Sequence, residues 1–326
     1  MSKVYINFLD YYLPQNIEKN TSILNKSRKK SSEIKEMISK IGIISRRVSS
    51  ANQFSTDLAL FSARKVLKKI DKNKIDFLIY CTNTPDYLLP SNSCIIHEKL
   101  NLKSSCGAFD IILACSGYVY SLSVAKSLIQ SKIAKNIILI TSDTYTKFIP
   151  IKDAKNRILF GDGSSSSILS EKKSKGSYEI KASTYGTDGS GANFAIIKNF
   201  GNRNRNSNKL EDKNLFIDGP GLYNFALNVV PRGVQEFMNK HKIKDDKINY
   251  YIFHQANKFM IDGLVKIMKL NKKKVIIDMS KTGNTTSSSI PIIIKKCDKK
   301  FKRKENILLV GFGGGLSWGI TLIQKQ

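Results

Sequence analysis

The sequence has few of the residues that build disulfide frameworks or metal centres. Its five cysteines are an odd number and include no C-x-x-C pair. Reduced thiols in a cytosol fit this pattern better than disulfides or a thiolate zinc site. The histidines are only three, His97, His241 and His254, and they stand far apart. Because histidine ligands of a metal recur at short spacings, we expect no metal site.

Long apolar runs and a leader are also missing. No stretch approaches the roughly 20 apolar residues that a membrane helix needs. The first residues, MSKVYINFLDYYLP, lack the basic start, apolar middle and small-residue cleavage site of a signal peptide. We therefore expect no membrane span and a cytoplasmic location. With 326 residues, 41% of them apolar, the chain is long enough for two domains or one duplicated domain.

Acidic residues are scarce beside basic ones. Lys and Arg number 54 against 26 Asp and Glu, which gives a net charge of +28 and a field that attracts polyanions. The lysines are spread along the whole chain, without the basic and aromatic runs or the motifs of nucleic-acid-binding proteins, so we do not expect a nucleic-acid partner. Two interpretations remain: the lysines solvate the surface, or the protein meets an acidic macromolecule.

Two parts of the chain resemble each other. KNKIDFLIYC (72–81) matches DDKINYYIFH (245–254), and KNIILITSD (135–143) matches ENILLVGFG (305–313) at similar spacing. In each part an amphipathic helical pattern precedes the first apolar strand. The repeat predicts a duplicated α/β unit in which helices cover sheets.

We expect the two halves to be residues 1–172 and 173–326. A stretch poor in apolar residues and rich in Lys, Asn, Ser and Gly predicts a loop insertion at about 186–214. The glycine-rich FGDGSSSSIL (160–169) is expected to form a tight turn between strands. VIIDMS (275–280) has the composition of a strand.

Cys115 lies at a junction. The apolar run 109–113 predicts a strand, and the spacing of apolar residues in 116–132 predicts a helix. A helix N-terminus carries about half a positive elementary charge, and this placement can lower a cysteine pKa to roughly 3.5–7.5. We therefore expect Cys115 to be a thiolate nucleophile. The alternative is a small buried hydrophobic residue, the usual state of a free cysteine.

Two residues of the second half are candidates to act with this cysteine. His254 ends the predicted strand YYIFH at the position that Cys81 holds in the first half, and α/β folds place their chemistry at strand carboxyl ends. Asn284 lies in the turn KTGNTTSSSIP. Taken singly, His254 is explained as a histidine of the core and Asn284 as an asparagine of a turn. Their interest depends on their meeting Cys115.

A glycine-rich loop follows the last apolar run, in ILLVGFGGGLSWG (307–319). Consecutive glycines let backbone N–H groups approach a ligand closely. A dinucleotide site would need a helix and an acidic residue after the loop, and only about ten residues remain. An oxyanion hole suits these donors better, at roughly 2.7–4 kcal/mol per donor in the transition state.

The chain resembles the β-ketoacyl-acyl-carrier-protein synthase III family of the thiolase superfamily nearly end to end. ACSGY, FGDGSSSSIL, HQAN, GNTTSSSIP and GFGGGLSWG occur in the family's order, and KIGIISRRV echoes its TGIxxRR pattern. The resemblance implies an α/β protein with a thiolase-like five-layer α/β/α/β/α fold from two duplicated halves, usually a homodimer. It also implies a catalytic triad of Cys115, His254 and Asn284, with the backbone N–H groups of Cys115 and Gly314 as the oxyanion hole.

The implied activity is that of a 3-oxoacyl-acyl-carrier-protein synthase III, an acyltransferase of fatty acid biosynthesis that uses no cofactor. Cys115 takes an acyl group from acyl-CoA or acyl-carrier protein. Malonyl-carrier protein then loses carbon dioxide while His254 and Asn284 stabilise the enolate, and the carbanion attacks the acyl group.

The acidic carrier protein gives the positive charge of the chain a partner. Lys258, Lys266 and Lys269, on the helix expected after HQAN, are the residues we expect to bind it by complementary charge. Leu89, in DYLLPSN, matches the residue that closes the acyl pocket of the partner subunit in the family.

Three positions depart from the family. In a gapless match, Glu36 stands at the tryptophan that stacks on the adenine of coenzyme A, and Lys40 replaces an arginine. Phe259 replaces a phosphate-binding arginine after HQAN. These departures disfavour acyl-CoA as the acyl donor, and acyl-carrier protein or another thioester is the alternative donor.

Three other functions compete with the implied synthase activity. A papain-like cysteine protease would need its cysteine near the N-terminus in a C-G-[SA]-C-[WY] context, which is missing. A thiolase-fold acyltransferase that moves an acyl group to an amine or hydroxyl without decarboxylation would use the same nucleophile. A non-enzymatic basic binding protein would fit an unreactive Cys115.

Overall fold

The computed structural model describes residues 2–25, 30–204 and 206–326. The β-strands are β1 Tyr5–Tyr12, β2 Asn16–Lys19, β3 Ser45–Val48, β4 Phe77–Cys81, β5 Gly107–Ile111, β6 Asn136–Asp143, β7 Gly163–Ser170, β8 Tyr178–Thr187, β9 Ala195–Ile196, β10 Phe216–Ile217, β11 Tyr250–Phe253, β12 Asn306–Gly313 and β13 Ser317–Lys325. The α-helices are α1 Asn20–Leu24, α2 Ser31–Ile41, α3 Ser55–Leu67, α4 Asn92–Leu100, α5 Gly117–Gln130, α6 Ala154–Arg157, α7 Gly219–Lys240, α8 Lys258–Ile267 and α9 Ser289–Lys296.

The strand pairing repeats between the halves. In the first half, β4 runs parallel to β5 and β6, β6 is antiparallel to β7, and β7 is antiparallel to β1. In the second, β11 runs parallel to β12, β12 is antiparallel to β13, and β13 is antiparallel to β8. A short β1–β8 pairing joins the two sets into one sheet. The predicted duplication of the α/β unit is confirmed.

The register of pairing makes Cys81 and His254 equivalent. Phe77 of β4 pairs with the second residue of β6, and Tyr250 of β11 pairs with the second residue of β12. Four residues further along, the chain reaches Cys81 in one half and His254 in the other. The backbone N–H of His254 still donates to the carbonyl of Val310, at 2.8 Å, so the histidine continues the line of β11.

Alternation of apolar residues along the strands creates the five layers. Ile307 and Leu309 of β12 pack with α5 and α9 in a central cluster, whereas Leu308 and Val310 pack with α7 and α8 on the other face. Strand β6 divides its residues in the same way, between the central cluster and the cluster of α3 and α4. Because side chains of a strand alternate between faces, each half buries both faces of its strands. The thiolase-like α/β/α/β/α arrangement is thus observed.

The predicted turn at 160–169 is wrong for most of its length. Residues 163–170 form strand β7, and all of them are buried. The serines of β7 can be buried because their hydroxyls form hydrogen bonds. Ser164 and Ser166 each lie 2.7 Å from the hydroxyl of Ser62, and the hydroxyl of Ser165 lies 2.8 Å from that of Thr141. Paired hydroxyls let a polar sequence form a core strand.

Other expectations also need correction. Residues 275–280 form no strand, and Val275 makes only one bridge, to Tyr251. The predicted insertion at 186–214 includes residue 205, which lies outside the described residues, and parts of the remainder form regular secondary structure. It holds a 3₁₀ helix at Gly189–Phe194 and strand β9, which pairs with β10. The division after residue 172 falls between β7 and β8 and stays a prediction.

Within the described residues, no helix is both long and apolar enough to cross a lipid bilayer.

Candidate active site

A cleft with a volume of about 370 Å³ brings the three predicted catalytic residues together. Cys115 reaches it from the turn before α5, His254 from the end of β11, and Asn284 from the loop before α9. Most of the remaining lining is apolar. Residues from both halves of the chain therefore meet at one mostly apolar cavity. Among the described residues, no three His, Cys, Asp or Glu side chains are grouped to hold a metal ion.

Cys115 lies two residues before the first residue of α5. Burial raises the pKa of its thiol above the ordinary value, and the nearby carboxylate of Asp143 raises it further. The expectation of a thiolate in the free protein is therefore wrong. Desolvation raises the pKa because the charged form of the sulfur loses its hydration. The thiol has to lose its proton when it attacks.

Gly313 faces the thiol directly. A Cβ atom on this glycine would lie 2.9 Å from the Cβ of Cys115 and 3.1 Å from its Sγ, closer than side chains pack. The next residue, Gly314, also lines the cleft. Among the described residues, no carbonyl accepts a hydrogen bond from the backbone N–H of Cys115 or Gly314. Both N–H groups are thus available to a ligand oxygen.

His254 has two hydrogen-bonding neighbours at its ring, the hydroxyl of Ser289 and the backbone of Thr286. Its Nδ1 lies 2.8 Å from the hydroxyl of Ser289, and its ring meets Phe312 edge-on with centroids 5.8 Å apart. Burial lowers the pKa of His254 to about 3, so the imidazole is neutral at working pH. When the Ser289 hydroxyl donates to Nδ1, the proton of the neutral ring resides on Nε2. Nε2–H is then a neutral donor for a substrate.

Asn284 is oriented by the backbone around it. Its Oδ1 accepts a hydrogen bond from the backbone N–H of Thr286 at 2.9 Å. Its own N–H donates to the carbonyl of Leu159, and its carbonyl accepts from Gly161. With Oδ1 engaged, the Nδ2 group of the amide is the part left for a substrate.

Asp143 is a buried acid beside this site that sequence reasoning missed. Its carboxylate accepts hydrogen bonds from the hydroxyls of Thr286 and Ser287 in one half and from the backbone N–H of Asn83 in the other. Burial raises the pKa of Asp143 to about 6. It ends β6, as Gly313 ends β12, so the signal in the sequence was an acid at the carboxyl end of a buried strand.

The predicted insertion supplies one wall of the cleft. Ile196 of β9 and Phe200, within the insertion, present apolar side chains to the cavity, and so do Leu215 and the β10 residue Ile217, just after it. The signal available in the sequence was the apolar stretch ANFAII (192–197) inside a polar segment. The segment therefore covers the site and is more than a connection.

The three lysines predicted to bind the carrier protein, Lys258, Lys266 and Lys269, lie at different places along α8 and beyond its end. Lys258 begins α8 and pairs with Asp262 at 2.5 Å, and Met260 beside it lines the cleft. Lys266 is exposed about 12 Å further along the helix axis. Lys269 lies beyond the end of α8, so its expected place on the helix is wrong. The first turn of α8 is thus the part next to the cavity.

Leu89 is 87% exposed and does not line the cleft of its own chain. Two of the three positions that depart from the family, Lys40 and Phe259, meet at the start of α8. The amine of Lys40 lies 4.8 Å from the centre of the Phe259 ring, and Phe259 stacks on Tyr223 with centroids 4.9 Å apart. A cation and two aromatic rings thus stand together beside the start of α8.

Two sequence profiles match the chain. That of "3-Oxoacyl-[acyl-carrier-protein (ACP)] synthase III" matches residues 109–189, and that of its "C terminal" part matches residues 238–325. A β-ketoacyl-[acyl-carrier-protein] synthase III of Clostridium tetani is 35% identical over 297 residues, covering 87% of each chain. One of Fusobacterium nucleatum is 31% identical over 331 residues, covering 99% of each.

Solved structures agree with these matches. A 3-oxoacyl-(acyl-carrier-protein) synthase III superposes with a TM-score of 0.91 at 30% identity, covering 99% of both chains. The enzyme of Burkholderia xenovorans gives 0.89 at 29% identity, covering 99% of this chain and 94% of the other. Fold and cleft define a thiolase-like condensing enzyme, an acyltransferase. Within that class, the chain belongs to the β-ketoacyl-acyl-carrier-protein synthase III family.

Proposed function

We propose that this protein joins an acyl group from a thioester to malonyl-acyl-carrier protein, with loss of carbon dioxide, through an acyl group held on Cys115. The observation that carries this proposal is the meeting of Cys115, His254 and Asn284 at one apolar cleft. Membership of the family supports the same reaction. A cysteine protease or a non-enzymatic binding protein would not need this combination.

In the first step, the sulfur of Cys115 attacks the thioester carbonyl. The backbone N–H groups of Cys115 and Gly314 stabilise the oxyanion, since neither is engaged with another described carbonyl. The carbon–sulfur bond to the carrier then breaks. The proton of Cys115 passes overall to the leaving carrier thiol, so the step is balanced.

In the second step, Nε2–H of His254 and Nδ2–H of Asn284 donate to the thioester oxygen of the malonyl group. Neutral donors suit this task because a protonated histidine would protonate the enolate rather than only stabilise it. The apolar lining disfavours the malonyl carboxylate and so favours loss of carbon dioxide. The carbanion attacks the acyl carbon, and the carbon–sulfur bond to Cys115 breaks. The sulfur leaves as a thiolate and takes one proton from solvent to become a thiol again.

The electron pair for the new bond comes from decarboxylation, so the reaction balances without a cofactor. An acidic acyl-carrier protein is the proposed partner, and the charge of +28 supports it. Lys258 and Lys266 are the residues of α8 proposed to meet the carrier, with Lys269 just beyond. Either acyl-CoA or acyl-carrier protein serves as the proposed donor.

A homodimer in the cytoplasm is part of the same proposal. Tyr87, Leu88 and Leu89 form an exposed apolar run, and Ile112 is also exposed. Surfaces of this kind support association with a second copy, in which Leu89 would reach the acyl pocket of its partner. Light scattering that gives the mass of one chain at micromolar concentration would contradict the dimer.

The decisive experiment follows both steps separately. Purified protein is mixed with acyl-CoA or acyl-carrier protein, and its intact mass is measured; malonyl-carrier protein is then added and carbon dioxide is collected. The proposal predicts an acyl adduct on Cys115, absent from Cys115→Ala, followed by carbon dioxide release. An adduct that passes to an amine or hydroxyl without carbon dioxide would instead indicate a simple acyltransferase.

A further inference from the structure

The cleft contains a polar pair that the proposed reaction does not use. Asn83 and Tyr145 both line it, and Nδ2 of Asn83 donates to the Tyr145 hydroxyl oxygen at 3.2 Å. Oδ1 of Asn83 is buried and has no hydrogen-bond partner among the described residues. Nor does any described residue accept the hydrogen of the Tyr145 hydroxyl. One acceptor and one donor of this pair are therefore without a partner among the described residues.

This pairing holds whichever way the amide of Asn83 is turned. With oxygen and nitrogen exchanged, the Tyr145 hydroxyl donates to Oδ1, and the unused groups are the Nδ2 donor and a hydroxyl lone pair. Burial and the nearby Asp143 and Cys115 raise the pKa of Tyr145 far above its ordinary value. The phenol therefore keeps its hydrogen at working pH. In either orientation the pair offers one donor and one acceptor.

The surroundings of the pair make unused polar atoms unfavourable. The ring of Tyr145 packs against Phe160 with centroids 5.5 Å apart, and Leu215 belongs to the same apolar cluster. A buried polar atom without a partner is destabilising, so a ligand group that satisfies it gains affinity. A hydroxyl both donates and accepts, which a saturated hydrocarbon chain cannot do.

The pair also lies close to the acyl attachment point. Tyr145 and Asn83 line the same cleft as Cys115. The backbone N–H of Asn83 donates to Asp143 at 2.8 Å, so its position is fixed relative to the site. An oxygen near the thioester end of the acyl chain would meet this pair.

We propose that Asn83 and Tyr145 form a specificity pair that selects acyl donors carrying a hydroxyl on the chain over saturated chains of the same length. This inference rests on the proposed function, since the chain must first be transferred to Cys115.

The test compares butyryl, 3-hydroxybutyryl and 4-hydroxybutyryl thioesters, each on coenzyme A and on the carrier protein. The measured quantity is kcat/KM for acylation of Cys115, followed by intact mass. We expect at least one hydroxylated donor to exceed butyryl by about 10-fold or more. Tyr145→Phe and Asn83→Leu should each reduce this ratio about 10-fold. Ile197→Val, which also removes one heavy atom from the lining, should change all donors by the same factor.

The outcomes separate the two proposals. Acylation of Cys115 with no preference for a hydroxylated donor, or with a preference that both variants leave unchanged, would overturn the specificity pair and leave the proposed function standing. A water molecule that satisfies the pair permanently would give this result. If no donor acylates Cys115, the proposed function falls and the inference falls with it.

Discussion

Gly313 stands so close to Cys115 that a methyl group on the glycine would lie 3.1 Å from the sulfur. We therefore predict that Gly313→Ala slows acylation of Cys115 by about 100-fold, since a displacement of the order of 1 Å at a reacting atom has that effect. Gly189→Ala is the control, because nothing lies within 4 Å of its added carbon. Equal acylation rates for both variants would show that the thiol tolerates a side chain opposite it.

Asp143 opposes ionisation of Cys115, because its charge raises the pKa of the thiol. In Asp143→Asn this charge is gone, so iodoacetamide should alkylate Cys115 about 3–10-fold faster at pH 8. The difference should shrink below pH 6, where the carboxyl of the unchanged protein, with a pKa of about 6, is itself protonated. Asp246→Asn on the surface is the control. A slower reaction of Asp143→Asn at pH 8 would contradict this electrostatic relationship.

His254 is assigned to the second step of the reaction. His254→Ala should therefore lower carbon dioxide release from malonyl-carrier protein by about 100-fold, the range seen on loss of an oxyanion donor. Acylation of Cys115 should fall less than 10-fold in the same variant. Ser289→Ala, which removes only the partner of Nδ1, should keep the acylation rate and lower carbon dioxide release by a smaller factor. Equal losses in both steps would mean that the histidine serves acylation as well.

The neutral state of His254 also has a consequence for stability. Its folded pKa is about 3 against an ordinary value near 6.5, so below pH 6.5 the unfolded chain binds a proton that the folded chain does not. Stability is lost as the pH falls, by about 2 kcal/mol at pH 5. The difference in unfolding free energy between pH 7 and pH 5, from urea titration, should be smaller by that amount in His254→Gln. If the two proteins show the same difference between pH 7 and pH 5, His254 binds a proton in the folded chain as readily as in the unfolded chain, and the assignment of a neutral histidine is wrong.

Charge at the start and end of α8 should act on the carrier and not on the chemistry. Lys266→Glu is expected to lower kcat/KM for malonyl-carrier protein about 3–10-fold at low salt, with the gap closing at high salt. Lys172→Glu is the control, because residue 172 follows β7 at the end of the strands opposite to Asp143. Equal effects of both variants would mean that these lysines act only through the overall positive charge of the protein and not as a local binding surface for the carrier.

The repeated sequence pattern predicted the fold because two stretches with the same pattern of apolar residues form strands that pair in the same way. The match of 72–81 with 245–254 gave the equivalence of Cys81 and His254, which the register confirms. Strand β7 was missed because five of its residues are serines, and a strand rich in serine has no apolar signal until its hydroxyl partners are known. Such partners, Ser62 and Thr141 among them, come from distant parts of the chain.

The site was predictable in its residues and less so in its electrostatics. The sequence motifs pointed to Cys115, His254 and Asn284, and in the structure all three residues line one cleft. The ionisation of Cys115 was mispredicted because the sequence showed a helix end but not the burial that opposes it. Asp143 and Asn83 were missed because their roles depend on contacts between distant parts of the chain. Asp143 contacts Ser287 of the second half, and Asn83 contacts Asp143 and Tyr145.

A single-turnover measurement tests the central claim most directly. Protein carrying an acyl group on Cys115 is isolated, freed of donor and mixed with malonyl-carrier protein. For each acyl group lost from Cys115, the account predicts one carbon dioxide and one β-ketoacyl-carrier protein. Carbon dioxide release while the acyl group stays on the sulfur, or a β-ketoacyl product formed by Cys115→Ala, would contradict it.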